Sequence, residues 1–327
     1  MSGLTPLDTC LEQALHGIHP VPPETLALNE AMGHAMAEDL LLLHDLPRMH
    51  EALCAGFAVN ALELMGASAG LPLPLAGAQL LRPGMPLPQG TDAILPEDNT
   101  RTIGGQREAI HAPNPGEGIR RAGHDGRKGD MIARAGQRLG VRLRMVAVLA
   151  DISHLPVRRP RVQIAPDAPQ AGLIASWARS LGALITEDAP HLAIRPTQTH
   201  QPRLALAPGD TGWLSRKDGT LVLDLPPRFD GTIAALLALG LPALATLSGT
   251  TPQTTTRPVA RKITSTIGLS ELVLLSRTEA AWQPGPAGTI TLTALARAKA
   301  FALIPPGSEG IAADTGLPGT HLENPFG

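Results

Sequence analysis

The feature that most constrains this chain is dense glycine and proline punctuation between residues 20 and 134. Residues 71–98 read LPLPLAGAQLLRPGMPLPQGTDAILPED, with a glycine or proline every few positions between short apolar runs. Proline lacks a backbone donor and is excluded from helix interiors, while glycine favours turns. Long helices are therefore excluded, and the pattern predicts a small β domain with exposed loops.

Helical spacing of apolar residues flanks this segment on both sides. The N-terminal apolar face consists of Leu7, Leu11, Ala14, Leu15 and Ile18. Thr5 followed by Pro6 predicts a helix start with Thr5 as the N-cap. Residues 138–150 have near-helical spacing too, which predicts a second helical region ending near His154.

From Arg161 onward the pattern changes to short apolar runs alternating with helical segments. Residues 169–181 have helical spacing, and the strand-like runs are VQIA, ALIT, HLAI, RLALA and TLVLDL. This alternation predicts an α/β layout with a largely parallel, buried sheet. Residues 232–247 are the most apolar stretch, but they are shorter than the roughly 20 residues that cross a bilayer. Because Gly240 and Pro242 interrupt them, we predict a core helix followed by a turn.

SGTTPQTTTRP at 248–258 is typical of a linker and predicts a domain boundary. Beyond it, ARKITSTIG, SELVLLSRTE, TITLTALA and FALIPP predict mostly strands and turns, as in a small β barrel or sandwich. The predicted fold class is therefore multidomain, α/β plus β.

Composition excludes several classes of protein. With 327 residues the chain is too long for one typical core, and its formal net charge of -2 lacks the basic excess of nucleic-acid proteins. The two cysteines, Cys10 and Cys54, are too isolated for a disulfide framework or a thiolate zinc site. No secretory signal, Walker loop, GxSxG or dinucleotide motif is present. We expect a soluble cytoplasmic protein that binds neither nucleic acid nor membrane.

A basic cluster is the strongest local feature. Eight arginines and lysines lie between residues 117 and 144: Arg120, Arg121, Arg127, Lys128, Arg134, Arg138, Arg142 and Arg144. Arginine binds phosphates and oxyanions bidentately, so the cluster is a candidate anion site. A solvated face or internal carboxylate pairs are the more common explanation of such a cluster, because surface charge is the default. Asp92, Glu97 and Asp98, in GTDAILPED, are either hard-cation ligands or ordinary turn carboxylates.

Taken in order, these segments resemble the molybdopterin molybdenumtransferases, the family of MoeA and the C-terminal domain of gephyrin. LPRMHEALCAGFAV at 46–59 is similar to the family's LPxFDNSAMDGYAV. GEGIRRAGHDGRKGD at 116–130, followed by ARAGQRLG, is similar to G-x-N-I-R-R-x-G-E-D-x-x-x-G and xxAGxxL. GTDAILPED resembles a family strand, and residues 260–316 resemble the family's final β domain. The segments at 116–140 and 260–316 are the most specific.

The resemblance implies a four-part, MoeA-like fold. It comprises a helical domain from 1–25 and 135–156, an inserted β domain at 26–134, a shortened molybdopterin-binding-type α/β domain at 157–249 and a C-terminal β barrel at 250–327. It also implies a homodimer that inserts molybdate into adenylylated molybdopterin with the help of magnesium. Molybdopterin and other molybdenum-cofactor proteins are thus the implied ligand and partners.

Several family motifs are altered. In the DNSAMDGYA loop the matching residues are His50, Glu51 and Ala55, and a methyl group can neither coordinate magnesium nor accept a proton. The motifs S-T-G-D-E and S-G-G are replaced by VQIAPDAP and HLAIRPTQ. K-P-G-K-P becomes Ala207 to Thr211, in which Asp210 adds a negative charge, and LPGNP becomes Leu225 to Phe229.

The resemblance leaves few site residues. Asp125 is the catalytic candidate, and the ligand-binding candidates are Arg120, Arg121, His124, Asp98 and Glu51; no metal site is expected. Arg120 and Arg121 could equally be structural. The leading hypothesis is a MoeA-like protein with weak or lost molybdate insertion, in effect a pseudoenzyme. The alternatives are a non-catalytic scaffold acting through the dimer or the terminal β domain, and an altered active site built from His50, Glu51 and Asp125.

Overall fold

A computed structural model describes residues 3–198 and 202–322 of the chain. Two compact units are present: one combines Met1–Asp39 with Ala133–Gly327, and the other is Leu40–Ile132. The fold is mixed α/β with many small sheets, which agrees with the predicted class. The finer division into four parts stays a prediction.

The N-terminal segment contains α1 (Leu7–Leu15), β1 (Glu24–Ala27) and β2 (Ala35–Met36). α1 buries Leu7, Cys10 and Ala14, as the apolar spacing predicts. The predicted cap is wrong, because Pro6 occupies the N-cap position and no side chain caps the helix. Thr5 instead donates its backbone N–H to the Arg203 carbonyl at 2.9 Å and accepts the Ala205 N–H at 2.7 Å. Its backbone groups are thus used in a strand-like bridge.

The unit Leu40–Ile132, which is described throughout, contains no α-helix. Its strands are β3 (Leu40–Leu41), β4 (Glu51–Ala52), β5 (Gly56–Val59), β6 (Ser68–Pro74), β7 (Leu80–Leu81), β8 (Ala93–Leu95), β9 (Thr100–Ile103), β10 (Gln106–His111), β11 (Ile119–Arg120) and β12 (Met131–Ala133). They form the sheets β6-β10-β9, β7-β5-β8, β11-β4 and β12-β3. Phe57, Leu95 and Ala109 lie in its core. The prediction of short strands and turns is confirmed.

After this unit come α2 (Val141–Leu149) and β13 (His154–Arg158), and β13 lies between β1 and β2 in a three-stranded sheet. α2 confirms the helix predicted at 138–150, but the predicted end near His154 is wrong, because the helix ends at Leu149 and His154 begins β13. Four apolar side chains of α2 are exposed: Val141, Met145, Val148 and Leu149. The helix therefore presents an apolar stripe to solvent.

The α/β part contains β14 (Arg161–Ile164), α3 (Ala171–Ser180), β15 (Leu184–Ile185), β16 (Leu192–Pro196), β17 (Leu206–Ala207), β18 (Trp213–Lys217) and β19 (Thr220–Leu225). Its sheet has the order β15-β14-β16-β19-β18, parallel except for β18. The α/β prediction is confirmed. β17 is the exception, because it pairs with a strand of the C-terminal sheet through Leu206–Ser270 and Ala207–Glu271.

A continuous helical segment follows, from Phe229 to Ser248. α4 (Phe229–Ala235) passes through a π-helical turn (Leu236–Gly240) into α5 (Leu241–Ser248). The prediction that Gly240 and Pro242 end the helix is wrong, because Gly240 and Leu241 keep right-handed helical backbone angles and α5 continues through Pro242 to Ser248. The segment is long and apolar enough to cross a membrane, but 78% of its most apolar window is buried within the protein.

The C-terminal part contains β20 (Thr254–Pro258), β21 (Ile263–Thr264), β22 (Ser270–Arg277), β23 (Trp282–Pro284), α6 (Leu292–Arg297), β24 (Ala300–Ile304), β25 (Gly310–Ile311) and β26 (Gly316–His321). Its main sheet has the order β17-β22-β24-β26-β20, with β23 on β22. The strand predicted at TITLTALA is wrong, because Thr291 accepts the Ala294 N–H and caps α6. The second half of the predicted linker at 248–258 is a strand instead, since β20 begins at Thr254.

Gly240 and Gly172 provide a matched test of this packing. A Cβ on Gly240 would lie 2.9 Å from Cη2 of Trp177, whereas a Cβ on Gly172 would meet nothing within 4 Å. We expect Gly240→Ala to destabilise the protein by about 1 to 3 kcal/mol, because of overpacking. Gly172→Ala should stabilise it by about 0.5 to 1 kcal/mol, through helix propensity. Urea unfolding followed by circular dichroism measures both, and equal effects of the two variants would contradict the packing described.

Candidate functional site

The two motif segments at 46–59 and 116–130 lie side by side in the unit Leu40–Ile132. β4 and β11 are antiparallel, with Glu51 opposite Arg120 and Ala52 opposite Ile119. The Leu53 N–H donates to the Gly118 carbonyl at 2.8 Å, which extends the pairing. Residues that are about 70 positions apart in sequence are thus held in a fixed register.

Beyond β11 the glycine-rich turn is held by bonds from both backbone and side chains. Asp125 donates its N–H to the Leu46 carbonyl at 2.8 Å, and Gly123 donates to the Pro47 carbonyl at 3.0 Å. His50 Nδ1 accepts the Ala122 N–H at 3.0 Å. His50 at the first position of the altered loop therefore has a structural contact, which explains its compatibility with this turn.

Arg120 and Asp125 form an ion pair across this turn, with 42% of the arginine side chain and 38% of the aspartate side chain exposed. The hydrogen bond that Arg120 donates to the Asp125 carboxylate raises the pKa of Arg120, and the charge of Glu51 adds to the effect. The structure therefore brings together His50, Glu51, Arg120 and Asp125. The Asp125 carboxylate is therefore already engaged by the Arg120 guanidinium.

The other predicted residues lie around this group. Arg121 directs its guanidinium at Gly116, since Nη2 would lie 2.9 Å from a Cβ there. His124 is exposed, and its N–H donates to the Arg121 carbonyl at 3.1 Å. Asp98 is exposed on the 3-10 turn Glu97–Asn99 that precedes β9. No hydrogen bond joins Asp98 to the Arg120 group in the part of the chain that the structure describes.

The implied magnesium ion finds no preformed ligand set. Among residues 3–198 and 202–322, no group of three or more His, Cys, Asp or Glu side chains is arranged to hold a metal. Asp92, one of the possible cation ligands in GTDAILPED, instead accepts the Ala61 N–H at 2.7 Å. Magnesium binds through one or two carboxylates together with substrate phosphates, so a bound phosphate would have to supply most of its ligands.

A second candidate site is the carboxyl edge of the parallel sheet. The order β15-β14-β16 places a topological switch point between β14 and β16, which is where ligands bind in open α/β sheets. Prolines follow or end three of the four parallel strands at this edge: Pro166 and Pro169 after β14, Pro196 at the end of β16, and Pro226 and Pro227 after β19. Proline has no N–H, so these positions cannot donate to a phosphate.

Several remaining backbone donors at this edge are already used. The Ala165 N–H donates to the Ile194 carbonyl at 2.8 Å, and the Thr197 N–H donates to the Leu225 carbonyl at 3.0 Å. A phosphate cradle requires backbone N–H groups that point at the ligand. The described part of the edge therefore offers few donors of this kind.

The N-terminus of α4 carries an internal carboxylate. Asp230 accepts the Gly231 N–H at 2.9 Å and the Arg228 Nη2 at 2.7 Å, and only 14% of its side chain is exposed. A helix N-terminus attracts anions through its free N–H groups and its dipole. Asp230 therefore takes the place of an external anion at this end of the helix.

Asp210 differs from the expectation drawn from its sequence alone. It forms an ion pair with Arg203, and its carbonyl accepts the Leu204 N–H at 2.7 Å. The charge that was expected to repel an anion is thus partly balanced. The ion pair with Arg203 offsets the negative charge of Asp210, but it does not provide the positive charge that two lysines would supply.

A buried ion pair in the sheet was missed by sequence reasoning. Arg195 on β16 and Asp224 on β19 are in register, and Arg195 Nε donates to Asp224 Oδ1 at 2.6 Å. The Asp224 side chain is fully buried, while 39% of the Arg195 side chain is exposed. The sequence feature that could have indicated this ion pair is a single charged residue within each of two otherwise apolar strands, HLAIRP and TLVLDL.

Comparison with known proteins agrees with this architecture. Residues 5–152 match the MoeA N-terminal region, described as domain I and II. The N-terminal part of the chain thus resembles MoeA proteins. Molybdopterin molybdenumtransferase of Haemophilus influenzae is 31% identical over 134 residues, which are 37% of this chain and 33% of that protein. The Synechococcus elongatus protein of the same name is 30% identical over 161 residues, covering 42% and 39%. The matched segments thus span only about a third to two-fifths of these relatives.

Solved structures resemble the chain over nearly its whole length. A molybdopterin biosynthesis MoeA protein from Pyrococcus horikoshii has a TM-score of 0.76 at 18% identity, over 98% of this chain and 99% of that chain. A molybdenum cofactor biosynthesis protein from Pyrococcus furiosus has a TM-score of 0.62 at 14% identity, over 97% and 99%. At these identities the likeness shows the MoeA fold alone.

Asp125 and Asp224 are expected to respond differently to the loss of charge. Asp125→Asn should change the free energy of unfolding little, because exposed ion pairs contribute little. Asp224→Asn should cost about 1.5 to 3 kcal/mol, because a fully buried position loses its charge-assisted hydrogen bond with Arg195. Chemical denaturation of the two variants beside the wild type measures this difference. A large loss for Asp125→Asn would mean that the Arg120 pair is primarily structural.

Proposed function

We propose that the chain belongs to the MoeA family and acts in molybdopterin biosynthesis or handling, and that standard molybdate insertion into adenylylated molybdopterin is weak or lost. The proposal includes a reduced α/β domain of the molybdopterin-binding type and a C-terminal β barrel. It rests on retained architecture together with altered polar groups, both in the unit Leu40–Ile132 and at the carboxyl edge of the sheet.

The observation that carries the proposal is the chemistry of the carboxyl edge. An adenylylated pterin brings several phosphate charges, which need backbone donors or cations. Here the edge carries prolines, and Asp230 occupies the N-terminus of α4. Both family lysines in the turn after β17 are replaced, one of them by Asp210. Each change lowers the affinity for phosphates, and together they oppose tight binding of the nucleotide.

The Arg120 group supports the same proposal independently. Ala55 is exposed at the position where the family has its second aspartate, and Asp125 is paired with Arg120. A methyl group supplies no metal ligand. His50 and Asp125 instead make contacts within the turn, to the Ala122 N–H and to Arg120.

Molybdate-dependent cofactor formation is the direct test. Purified protein would be incubated with adenylylated molybdopterin, magnesium and molybdate, beside an intact family member as the positive control. We expect turnover near the no-enzyme background, because substrate phosphates and metal both lack partners. Turnover comparable to that of the intact member would contradict the proposal. Fluorescence of released pterin after denaturation reports separately whether the protein carries molybdopterin without converting it.

The exposed stripe on α2 favours a homodimer as the assembly, with scaffolding as the alternative role. Val148 and Leu149 are 54% and 71% exposed, although both are large apolar side chains on one helix. Exposed apolar patches of this kind mark protein interfaces. A second copy can cover the stripe with its own stripe about a twofold axis, which is the commonest arrangement in homo-oligomers.

Charge placed in the stripe tests this assembly. Leu149→Lys should shift the protein from dimer to monomer in sedimentation velocity, because a lysine would be buried without a partner. Leu292→Lys is the matched control, since Leu292 is 69% exposed on α6, away from the stripe. A wild type that sediments as a monomer at all concentrations would refute the homodimer.

A further inference from the structure

The ion pair of Arg195 and Asp224 lies at the carboxyl edge of the parallel sheet, one residue before the end of β16 and of β19. The two residues are direct partners in the register, so their side chains lie on the same face of the sheet. β16 also borders the topological switch point between β14 and β16. The pair therefore lies where open α/β sheets bind their ligands.

The energetics of the pair argue against a purely structural role. A buried ion pair often stabilises a protein no more than well-packed apolar side chains of similar volume do. The Asp224 side chain is fully buried, in a strand whose residues from Leu221 to Leu225 are otherwise apolar and buried. Apolar residues at positions 195 and 224 would continue the pattern of both strands without the cost of burying a charge. The charges thus call for an explanation other than stability.

Asp224 holds the Arg195 guanidinium by the nitrogen nearest the chain. Nε donates to Asp224 Oδ1 at 2.6 Å, and 39% of the arginine side chain is exposed. Within residues 3–198 and 202–322, Nη1 and Nη2 donate no hydrogen bond, and neither is a buried atom without a partner. Both nitrogens therefore reach solvent. They form the planar fork with which arginine binds a carboxylate bidentately.

Small side chains flank Arg195 on the side of β14. Ala193 precedes it by two residues on the same face of β16, and Ala165 lies beside it, where its N–H donates to β16 at 2.8 Å. Exposed Pro166 and Pro227 border the same edge. The fork is thus surrounded by methyl groups and proline rings, which offer a ligand apolar contacts and no further charge.

We propose that the Arg195 fork binds the carboxylate of a small organic acid. The carboxylate accepts hydrogen bonds from Nη1 and Nη2, and the apolar part of the acid lies against the neighbouring alanines and prolines. Asp224 is a positioning residue, because it contacts the arginine and fixes the direction of the fork.

The charge of Asp224 also sets the charge of the ligand. Arginine and aspartate together are neutral, so the aspartate repels a dianion such as sulfate or phosphate more strongly than it repels a monocarboxylate. The inference goes beyond the proposed function and does not depend on it. A phosphate cradle needs backbone N–H groups, which this edge lacks, whereas a carboxylate needs only the side-chain fork. Neither Arg195 nor Asp224 belongs to the exposed stripe on α2, so the site is compatible with the homodimer.

The first test measures binding of para-fluorobenzoate to the full chain by fluorine NMR. The ligand signal should broaden saturably. Arg195→Lys should weaken binding about tenfold, equivalent to about 1.4 kcal/mol, because lysine keeps the charge opposite Asp224 but lacks the fork. Arg216→Lys is the matched control, since Arg216 is an exposed arginine of β18 near the opposite edge of the sheet, where Nη1 donates to the His16 carbonyl at 2.9 Å. Circular dichroism confirms that both variants are folded.

Competition then tests the chemistry of the ligand. Unlabelled benzoate should displace the probe, while neutral benzamide and inorganic sulfate should displace it poorly. Nitrogen NMR of protein labelled in its arginines should show one guanidinium signal that shifts with benzoate and is missing in Arg195→Lys. Equal binding by Arg195→Lys and Arg216→Lys would overturn the proposal. Displacement by sulfate at the same concentrations as benzoate would also overturn it, because the site would then take oxyanions in general.

Asp224→Asn tests the positioning role separately. Because this variant is also destabilised, the quantity compared is the ratio of sulfate affinity to benzoate affinity, which a loss of folded protein does not change. Removal of the aspartate charge should raise this ratio several-fold over that of the wild type. An unchanged ratio would show that Asp224 only supports the strand. The Arg195→Lys measurement decides the ligand site whether or not Asp224→Asn folds.

Discussion

The helical segment from Phe229 to Ser248 is the constraint on which the larger unit depends. Leu236, Leu239 and Leu244 are buried in the core of the α/β sheet. Ala234 and Leu237 face the other way, into a cluster with Leu272, Leu274 and Phe301 of the C-terminal sheet. A helix that is apolar on all sides is stable in water only when it is covered on all sides. The segment therefore requires both sheets, and each sheet buries one of its faces against it.

Several polar groups at possible ligand sites are paired within the protein. Positions that could receive a charged ligand are completed by the protein itself: Asp230 at a helix N-terminus, Asp125 beside Arg120, and Arg203 beside Asp210. Internal pairing lowers the cost of leaving such groups without a ligand. Arg134, Arg138 and Arg142 are the contrast, because they line a groove beside α2 that has no acidic lining residue.

The sequence predicted most elements whose formation depends on local pattern. Punctuation by glycine and proline predicts the strands and turns of Leu40–Ile132, and alternation predicts the α/β sheet. The sequence-based predictions were wrong where tertiary contacts override local preference. Thr5 is used in a bridge to Leu204, although its type favours capping. TITLTALA has strand propensity, yet α6 forms because it packs on β22 and because Thr291 caps it. The Arg195–Asp224 pair depends on strand order, which periodicity does not encode.

The pairing of β17 with β22 limits how the C-terminal part of the chain can evolve. β17 leaves the α/β part to become an edge strand of the C-terminal sheet, and the helical segment 229–248 supplies part of the same core. Two elements that precede the apparent boundary at 248–258 therefore belong structurally to the C-terminal part: β17 through its sheet, and the helical segment through its core. Genes recombine successfully where few contacts are cut, and here a cut would sever both a sheet and a core. The C-terminal part therefore cannot be replaced by an unrelated domain without loss of these contacts. Substitutions in one part are expected to be matched by substitutions in the other.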